Sequence, residues 1–195
     1  MHLGKGHMAR AEKKLETWRT IHSAALNLYA TQGFDQSTVE QIATAAGVSR
    51  ATFFNYFASK EAVVFDQDPG DRDSWLSSMH RRPLEEPLWD SLTAIFLDFG
   101  ELLRERIPLQ RHLKRDNRAL ARSSETFGEL FTQDLADWVH KRRSLADGNE
   151  VEYRLMLNLA WACAATAYQT WQDSESSGQF LDRLRDCLDT GRPRQ

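Results

Sequence analysis

Arg50, Ala51, Thr52, Asn55, Tyr56 and Lys60 crowd into one short stretch, Ser-Arg-Ala-Thr-Phe-Phe-Asn-Tyr-Phe-Ala-Ser-Lys. These residue types suit contact with DNA. An arginine can grip guanine through O6 and N7, an asparagine can pair with adenine, and an alanine or threonine methyl can meet the methyl of thymine. Tyr56 and Lys60 suit phosphate oxygens, which position a protein without reading sequence. Phe53 and Phe57 are four apart, so both are expected to face inward while the polar set faces out.

Such side chains are useful only if local structure holds them on one face. Thr38 is placed to cap a helix, with Gln41 three residues on to complete a capping box. Ser37 with Glu40 would serve equally, so the start falls at 37 or 38. Val39, Ile42, Ala43 and Ala46 recur at helical spacing and are expected inward. Gly47 stands where a left-handed backbone is needed. Val48 is expected to bury the turn, and Ser49 to cap the second helix. Two short helices around a glycine turn make a helix-turn-helix. On spacing alone two readings stay open, a DNA reader and a helical module whose Arg and Asn are merely solvated. Charge does not separate them. Residues 9–66 hold Arg10, Lys13, Lys14, Arg19, Arg50 and Lys60 against as many acidic side chains. A positive patch would therefore need Lys13, Lys14, Arg50 and Lys60 on one face.

A resemblance favours the first reading. The run Ala24 to Phe34, then Ser37-Thr38-Val39, Ile42-Ala43, Ala46-Gly47-Val48-Ser49, Phe53-Phe54-Asn55-Tyr56-Phe57 and Ser59-Lys60-Glu61 resembles the amino-terminal domain of the tetracycline-repressor (TetR) family. It covers about the first third of the chain. The resemblance implies an all-α fold, with a three-helix DNA-binding head followed by a helical regulatory bundle that dimerises and binds a small molecule. It implies base contacts from Arg50, Ala51, Thr52 and Asn55, and phosphate contacts from Thr38, Tyr56 and Lys60, with Ser49 beside them. Phe54 stands where the family often has tyrosine, so a phosphate donor is lost there.

The chain has 195 residues, 41% of them hydrophobic, and a net charge of −3. That is enough apolar material for real cores, and too little positive charge for indiscriminate binding to nucleic acid or anionic membrane. No apolar run is long enough to span a bilayer, so no membrane partner is expected. Residues 1–8 are expected to be a tag or disordered arm, with Gly6-His7-Met8 reading as an expression-vector scar. Cys163 and Cys187 read as small buried residues of a reducing cytoplasm. No ligand cluster suggests a metal, and no cofactor is expected.

The expected organisation is a DNA-binding domain over 9–66 and a ligand-binding and dimerisation domain over 67–195. Helix 1 is expected from near Ala9 to Thr31, burying Trp18, Ile21, Ala25, Leu28 and Tyr29. A fourth helix begins at Ser59 and breaks at Asp68-Pro69-Gly70-Asp71, resuming as Asp73 to Leu76. Pro83 and Pro87 bracket a loop. Long helices are then expected over about 87–106, 108–122, 124–143, 150–173 and 178–189, with a break at Asp147-Gly148-Asn149.

Leu155, Leu159, Ala162, Cys163, Thr166 and Ala167 make one apolar stripe, and Phe180, Leu181, Leu184, Cys187 and Leu188 another. Either they close the subunit core or they meet a symmetry mate. The expected homodimer interface is Leu155, Leu159, Ala162, Thr166, Phe180, Leu184 and Leu188. Phe96, Phe99, Leu103, Phe127, Phe131, Trp138 and Trp161 are expected to line a pocket for a small hydrophobic ligand. Arg104, Arg106, Arg111, His112, Lys114, Arg115, Arg118 and Arg122 could receive an anionic head, such as the phosphates of an acyl-CoA. No catalytic residues are expected, because the histidines are scattered and no phosphate loop is present. The functional expectation is a cytoplasmic, ligand-responsive repressor that binds a palindromic operator on double-stranded DNA as a dimer. The alternative is a helical interaction module or enzyme that does not read DNA.

Overall fold

Gly33, at φ 88°, ends the first helix and turns the chain back across it. Only glycine takes that backbone without strain. The computed structural model describes residues 4–66, 68, 70–116, 125–172 and 174–193. For residues 4–9, 11, 115, 116 and 125–127 only the backbone is described. All regular structure among the described residues is helical. It falls into two compact units, Met1–Gly70 and Asp71–Gln195.

The first unit holds α1 (Gly4–Gln32), α2 (Val39–Ala45), α3 (Arg50–Phe54) and α4 (Ala62–Phe65). Helix α1 starts at Gly4, so its backbone takes in residues 4–8 of the segment expected to be a tag or disordered arm. Trp18, Ile21, Ala25 and Tyr29 are buried along one face of α1, whereas Leu28 is half-buried. They pack with Ile42 and Ala43 of α2, with Phe53 and Phe57, and with Val63, Val64 and Phe65. The Trp18 ring lies 5.2 Å from Phe57 and stacks on His22 at 4.8 Å. Helix α4 begins at Ala62, three residues later than expected, with the Ser59 hydroxyl accepting the Ala62 N–H at 3.2 Å. The chain leaves α4 after one turn. There Asp68 accepts the Gly70 N–H at 2.7 Å and pairs with Arg19 at 2.8 Å.

The second unit holds α5 (Asp71–His80), α6 (Leu88–Leu103), α7 (Ile107–Asp116), α8 (Glu125–Leu145), α9 (Glu150–Thr170) and α10 (Ser177–Thr190). Helix α6 is the centre of its packing, against α5, α9 and α10. Its apolar stripe of Leu88, Trp89, Leu92, Ile95, Phe96 and Leu103 is buried. Gly100 lets α10 approach, since a Cβ there would lie 2.9 Å from Leu181 Cδ2. At the far end Trp89 donates its indole N–H to the Leu188 carbonyl at 3.2 Å. Gly191 ends α10 so close to Cys163 that a Cβ would fall 2.5 Å from its Sγ.

The buried charges Asp71, Arg106 and Arg142 of this unit are paired or hydrogen-bonded, as desolvation requires. Asp71 and Arg106 meet at 2.6 Å with both side chains 6% exposed. Arg142 is buried and donates to the carbonyls of Leu84 and Glu86, which fastens the proline loop to α8. Asp134 accepts from the Trp75 indole at 3.0 Å and pairs with Arg72 at 2.8 Å. The Arg72 hydrogen bond is the main reason its carboxyl sits below the usual range. The break after α8 falls at the expected Asp147-Gly148-Asn149. Asp147, not Gly148, takes the left-handed backbone (φ 50°), and the Gly148 N–H reaches back to the Arg143 carbonyl at 3.0 Å.

Candidate nucleic-acid interface

The presenting surface is built by capping chemistry on both sides of one glycine. Thr38 caps α2: its hydroxyl accepts the Gln41 N–H at 3.2 Å, and the Gln41 side chain accepts the Thr38 N–H at 2.9 Å. At the other end Gly47 adopts φ 67°. The Val48 N–H then returns to Ala43 O at 2.9 Å and the Gly47 N–H to Thr44 O at 3.1 Å. That bond pair is a Schellman closure, and it turns the chain sharply enough for a second helix to start at once. Ser49 caps α3 by accepting the Thr52 N–H at 3.0 Å, and its hydroxyl shares a 2.8 Å bond with that of Thr52.

Helix α3 is short and divides its faces cleanly. Phe53 and Phe57 are buried, with ring centroids 5.7 Å apart. Arg50, Ala51 and Asn55 are exposed, Thr52 and Tyr56 are half-buried, and Thr38 and Ser49 are exposed beside them. The structure therefore brings Thr38, Ser49, Arg50, Ala51, Thr52, Asn55 and Tyr56 to the α2–α3 surface.

Lys60 is placed differently from the other expected DNA contacts. Its ammonium donates to the carbonyls of Phe34 at 2.9 Å, Ser37 at 3.2 Å and Asp35 at 3.4 Å. It also lies 4.3 Å from the centre of the Phe34 ring. An ammonium has three N–H groups, and three carbonyls of the α1–α2 turn lie within hydrogen-bond distance of it. Tyr29 locks the same place from beneath, donating its hydroxyl to the Lys60 carbonyl at 2.8 Å. Burial, reinforced by the Glu61 charge, pushes the Tyr29 phenol well above its ordinary pKa. A tie between residues 23–26 positions apart leaves no local pattern, so spacing could not have found it.

Two further partners were also missed. The Arg50 guanidinium pairs through Nε with Glu40 of α2 at 2.7 Å, and its carbon lies 5.0 Å from the centre of the Phe54 ring. No signal in the sequence singles out this pair, since Arg50 and Glu40 lie on different helices.

In the second unit the residues expected to line a ligand pocket pack against one another. Phe99 stacks on Phe131 at 3.7 Å, and Trp161 meets Phe96 edge-to-face at 5.0 Å. Phe96, Phe131 and Leu103 are buried. These rings fill one another's space as core, the usual fate of an aromatic stripe. Trp138 is half-buried and holds Arg142 near its face, 5.2 Å from the ring centre. The Phe127 side chain lies outside the described residues. A cleft of about 1400 Å³ lies elsewhere, between the start of α6, the first half of α9 and the end of α10, lined by Trp89, Val151, Leu155, Met156, Leu159 and Arg192.

The expected dimer residues separate into two groups. Leu155 and Leu159 are 62% and 38% exposed, and Ala162 and Thr166 share their outward face of α9. Phe180, Leu184 and Leu188 are instead buried in the subunit's own core, against α6 and α9. A stripe on the last helix must cover whichever apolar face lies nearest, and Gly100 brings α6 within reach. The basic set also disperses. Arg104 pairs with Glu101 at 3.0 Å, Arg106 with Asp71, and Arg111 donates to the Tyr168 carbonyl at 2.6 Å. His112 is exposed, and Lys114 is half-buried, which lowers its pKa. The Arg115 side chain and residues Arg118 and Arg122 lie outside the described residues. Among the described residues no group of three His, Cys, Asp or Glu is arranged to hold a metal, and no helix is long and apolar enough to cross a membrane.

Comparison with known proteins agrees with this geometry. Residues 21–66, the segment from mid-α1 through α4, match the family model for bacterial regulatory proteins of the tetR family. The HTH-type transcriptional regulator TcmR of Streptomyces glaucescens is 34% identical over 87 residues, 45% of this chain and 38% of that protein. The chain thus spans well under half the length of that relative. The transcriptional regulator MftR of Mycobacterium tuberculosis is 28% identical over 183 residues, 87% of each chain. The solved structure of the transcriptional regulator FadR from Bacillus subtilis in complex with stearoyl-CoA shares the fold, with a TM-score of 0.57 at 19% identity, covering 90% of this chain and 100% of that one. With a capped helix-turn-helix, an exposed α3 face and these relatives, residues 21–66 are a head of the kind found in bacterial regulatory proteins of the tetR family.

Proposed function

We propose that this chain is a cytoplasmic repressor that binds a palindromic operator as a homodimer and leaves it when a small hydrophobic effector binds. The observation that carries this reading is the outward row of Arg50, Ala51 and Asn55 on α3, opposite the buried Phe53 and Phe57. A helix held that way can lie in a major groove and offer its polar row to base edges. Val151, Leu155 and Leu159 support the dimer: apolar side chains this exposed on one face of a long helix suit burial against a second copy. Two heads are also what a pair of half-sites requires, one helical turn (about 34–36 Å) or a multiple apart. The same three side chains line the cleft, so a second copy docked on this face would also cover it.

A long-chain acyl-CoA is the effector class proposed for trial, since the FadR relative was solved with stearoyl-CoA. The test is binding-site selection on genomic DNA with the purified chain, followed by operator titration. Arg50→Ala and Asn55→Ala are each expected to cost about 1–3 kcal/mol against the cognate operator. Stearoyl-CoA is expected to release the wild type. A chain that selects no sequence, or runs as a monomer at micromolar concentration, refutes the reading.

A further inference from the structure

Phe54 is 43% exposed, high for a phenylalanine with a core next to it, and Glu40 spends its carboxylate on an arginine expected to face DNA. We propose that Glu40 and Phe54 are positioning residues for Arg50, fixing the guanidinium before DNA arrives and so setting how strictly one base pair is read. This rests on the reading of Arg50 as a base contact.

The geometry supplies the reason. Phe54 follows Arg50 by four residues, one helical turn, so the two side chains share a face. Its ring stands edge-to-face on the buried Phe53, centroids 5.4 Å apart and planes at 88°. One face of an anchored ring is thereby offered to the guanidinium, 5.0 Å from its centre. Glu40 approaches from α2 and takes the Nε side at 2.7 Å. Nε is nearest the aliphatic stem, so the two terminal nitrogens form the distal edge, and that edge matches O6 and N7 of guanine. A free arginine would lose rotamer freedom on binding. Here two neighbours on different helices have already restricted it.

The same carboxylate offsets the arginine's attraction to phosphate, which is the sequence-independent part of DNA affinity. Glu40 therefore trades raw affinity for selectivity. Its loss should tighten binding to arbitrary DNA while relaxing the choice of base.

The experiment uses the full chain and the operator found by selection, with every single-base variant measured in competition at two salt concentrations. Arg50→Ala identifies the base pair that Arg50 reads. At that pair Glu40→Ala and Phe54→Leu are each expected to lower discrimination about three- to fivefold, the ratio that a surface ion pair or an exposed cation–π contact supports. Phe54→Tyr keeps the ring and should keep the discrimination. Neither Glu40→Ala nor Phe54→Leu should lower it further in the Arg50→Ala background. Should Phe54→Leu fail to fold, Glu40→Ala and Phe54→Tyr carry the test, since Glu40 is 63% exposed and supports no core. Unchanged discrimination in Glu40→Ala, or a uniform change at all positions, overturns the proposal. If Arg50→Ala itself alters no base preference, the reading of Arg50 fails, and this inference falls with it.

Discussion

Replacing Lys60 by methionine separates two roles that the same residue could play. The substitution keeps an unbranched stem of similar length and removes the ammonium. In the structure that ammonium holds the α1–α2 turn by three carbonyl contacts, at 2.9, 3.2 and 3.4 Å, and sits 4.3 Å from the Phe34 ring centre. A hydrogen bond to a charged donor contributes about 1.5–3 kcal/mol when well formed, and an exposed cation–π contact about 0.5–1 kcal/mol. The 3.4 Å contact is weak, and the group is only half-buried, so the sum must be discounted heavily. A loss of about 2 kcal/mol from the first unit is the expected outcome. It should appear as a lower denaturant midpoint with an unchanged slope, followed by fluorescence of Trp18, the sole tryptophan before residue 75, in the isolated 1–70 fragment if that folds or by hydrogen exchange in the full chain. Operator binding supplies the second readout. A lysine on phosphate contributes about 0.9 to the slope of log K against log salt, whereas a lysine consumed by the turn contributes little. If Lys60→Met leaves stability within about 0.5 kcal/mol and flattens the salt slope by about one, the staple account is wrong and Lys60 is a phosphate contact.

The alkaline limb of stability should report Tyr29. Its phenol is raised in the folded chain, so its contribution is complete below the unfolded value of about 10 and declines as pH rises beyond it, when only the unfolded chain can ionise freely. Tyr29→Phe should flatten that limb in a urea titration between about pH 9 and 11, while costing about 1 kcal/mol at neutral pH through the lost bond to the Lys60 carbonyl. Arg106→Met strands the buried Asp71 carboxylate and should destabilise the second unit by about 3–5 kcal/mol, measured by denaturant unfolding. Adding Asp71→Leu should recover much of that loss. Gly47→Ala meets nothing within 4 Å, so its cost is the left-handed backbone alone, about 1–2 kcal/mol. A larger loss would point to a steric role that the geometry does not contain.

Local chemistry made the head legible. Caps at Thr38 and Ser49, a glycine at 47 and the Phe53–Phe57 spacing each act within a few residues, and each is found where the sequence puts it. The same holds for the breaks at Gly33, around residue 70 and after Leu145. What the sequence could not show were the choices made between elements far apart. Nothing local tells Phe180, Leu184 and Leu188 whether to face α6 or a second copy; the packing of α6 and α9 around them does. Nor does an aromatic stripe show whether its rings will surround a space or fill it, as Phe99 and Phe131 do at 3.7 Å. Lys60 is the sharpest case. Its type and place suited a phosphate, yet three carbonyls of a turn that precedes it in the chain accept its hydrogen bonds.

The bond from Trp89 to the Leu188 carbonyl has a practical consequence. Trimming back into the last turn of α10 would orphan a buried indole N–H and bare Cys163, whose thiol burial now pushes above its ordinary pKa. Affinity handles fused at this end therefore require a spacer beyond Gly191. A shift in tryptophan emission would be an early warning that the handle has pried the terminal helix loose.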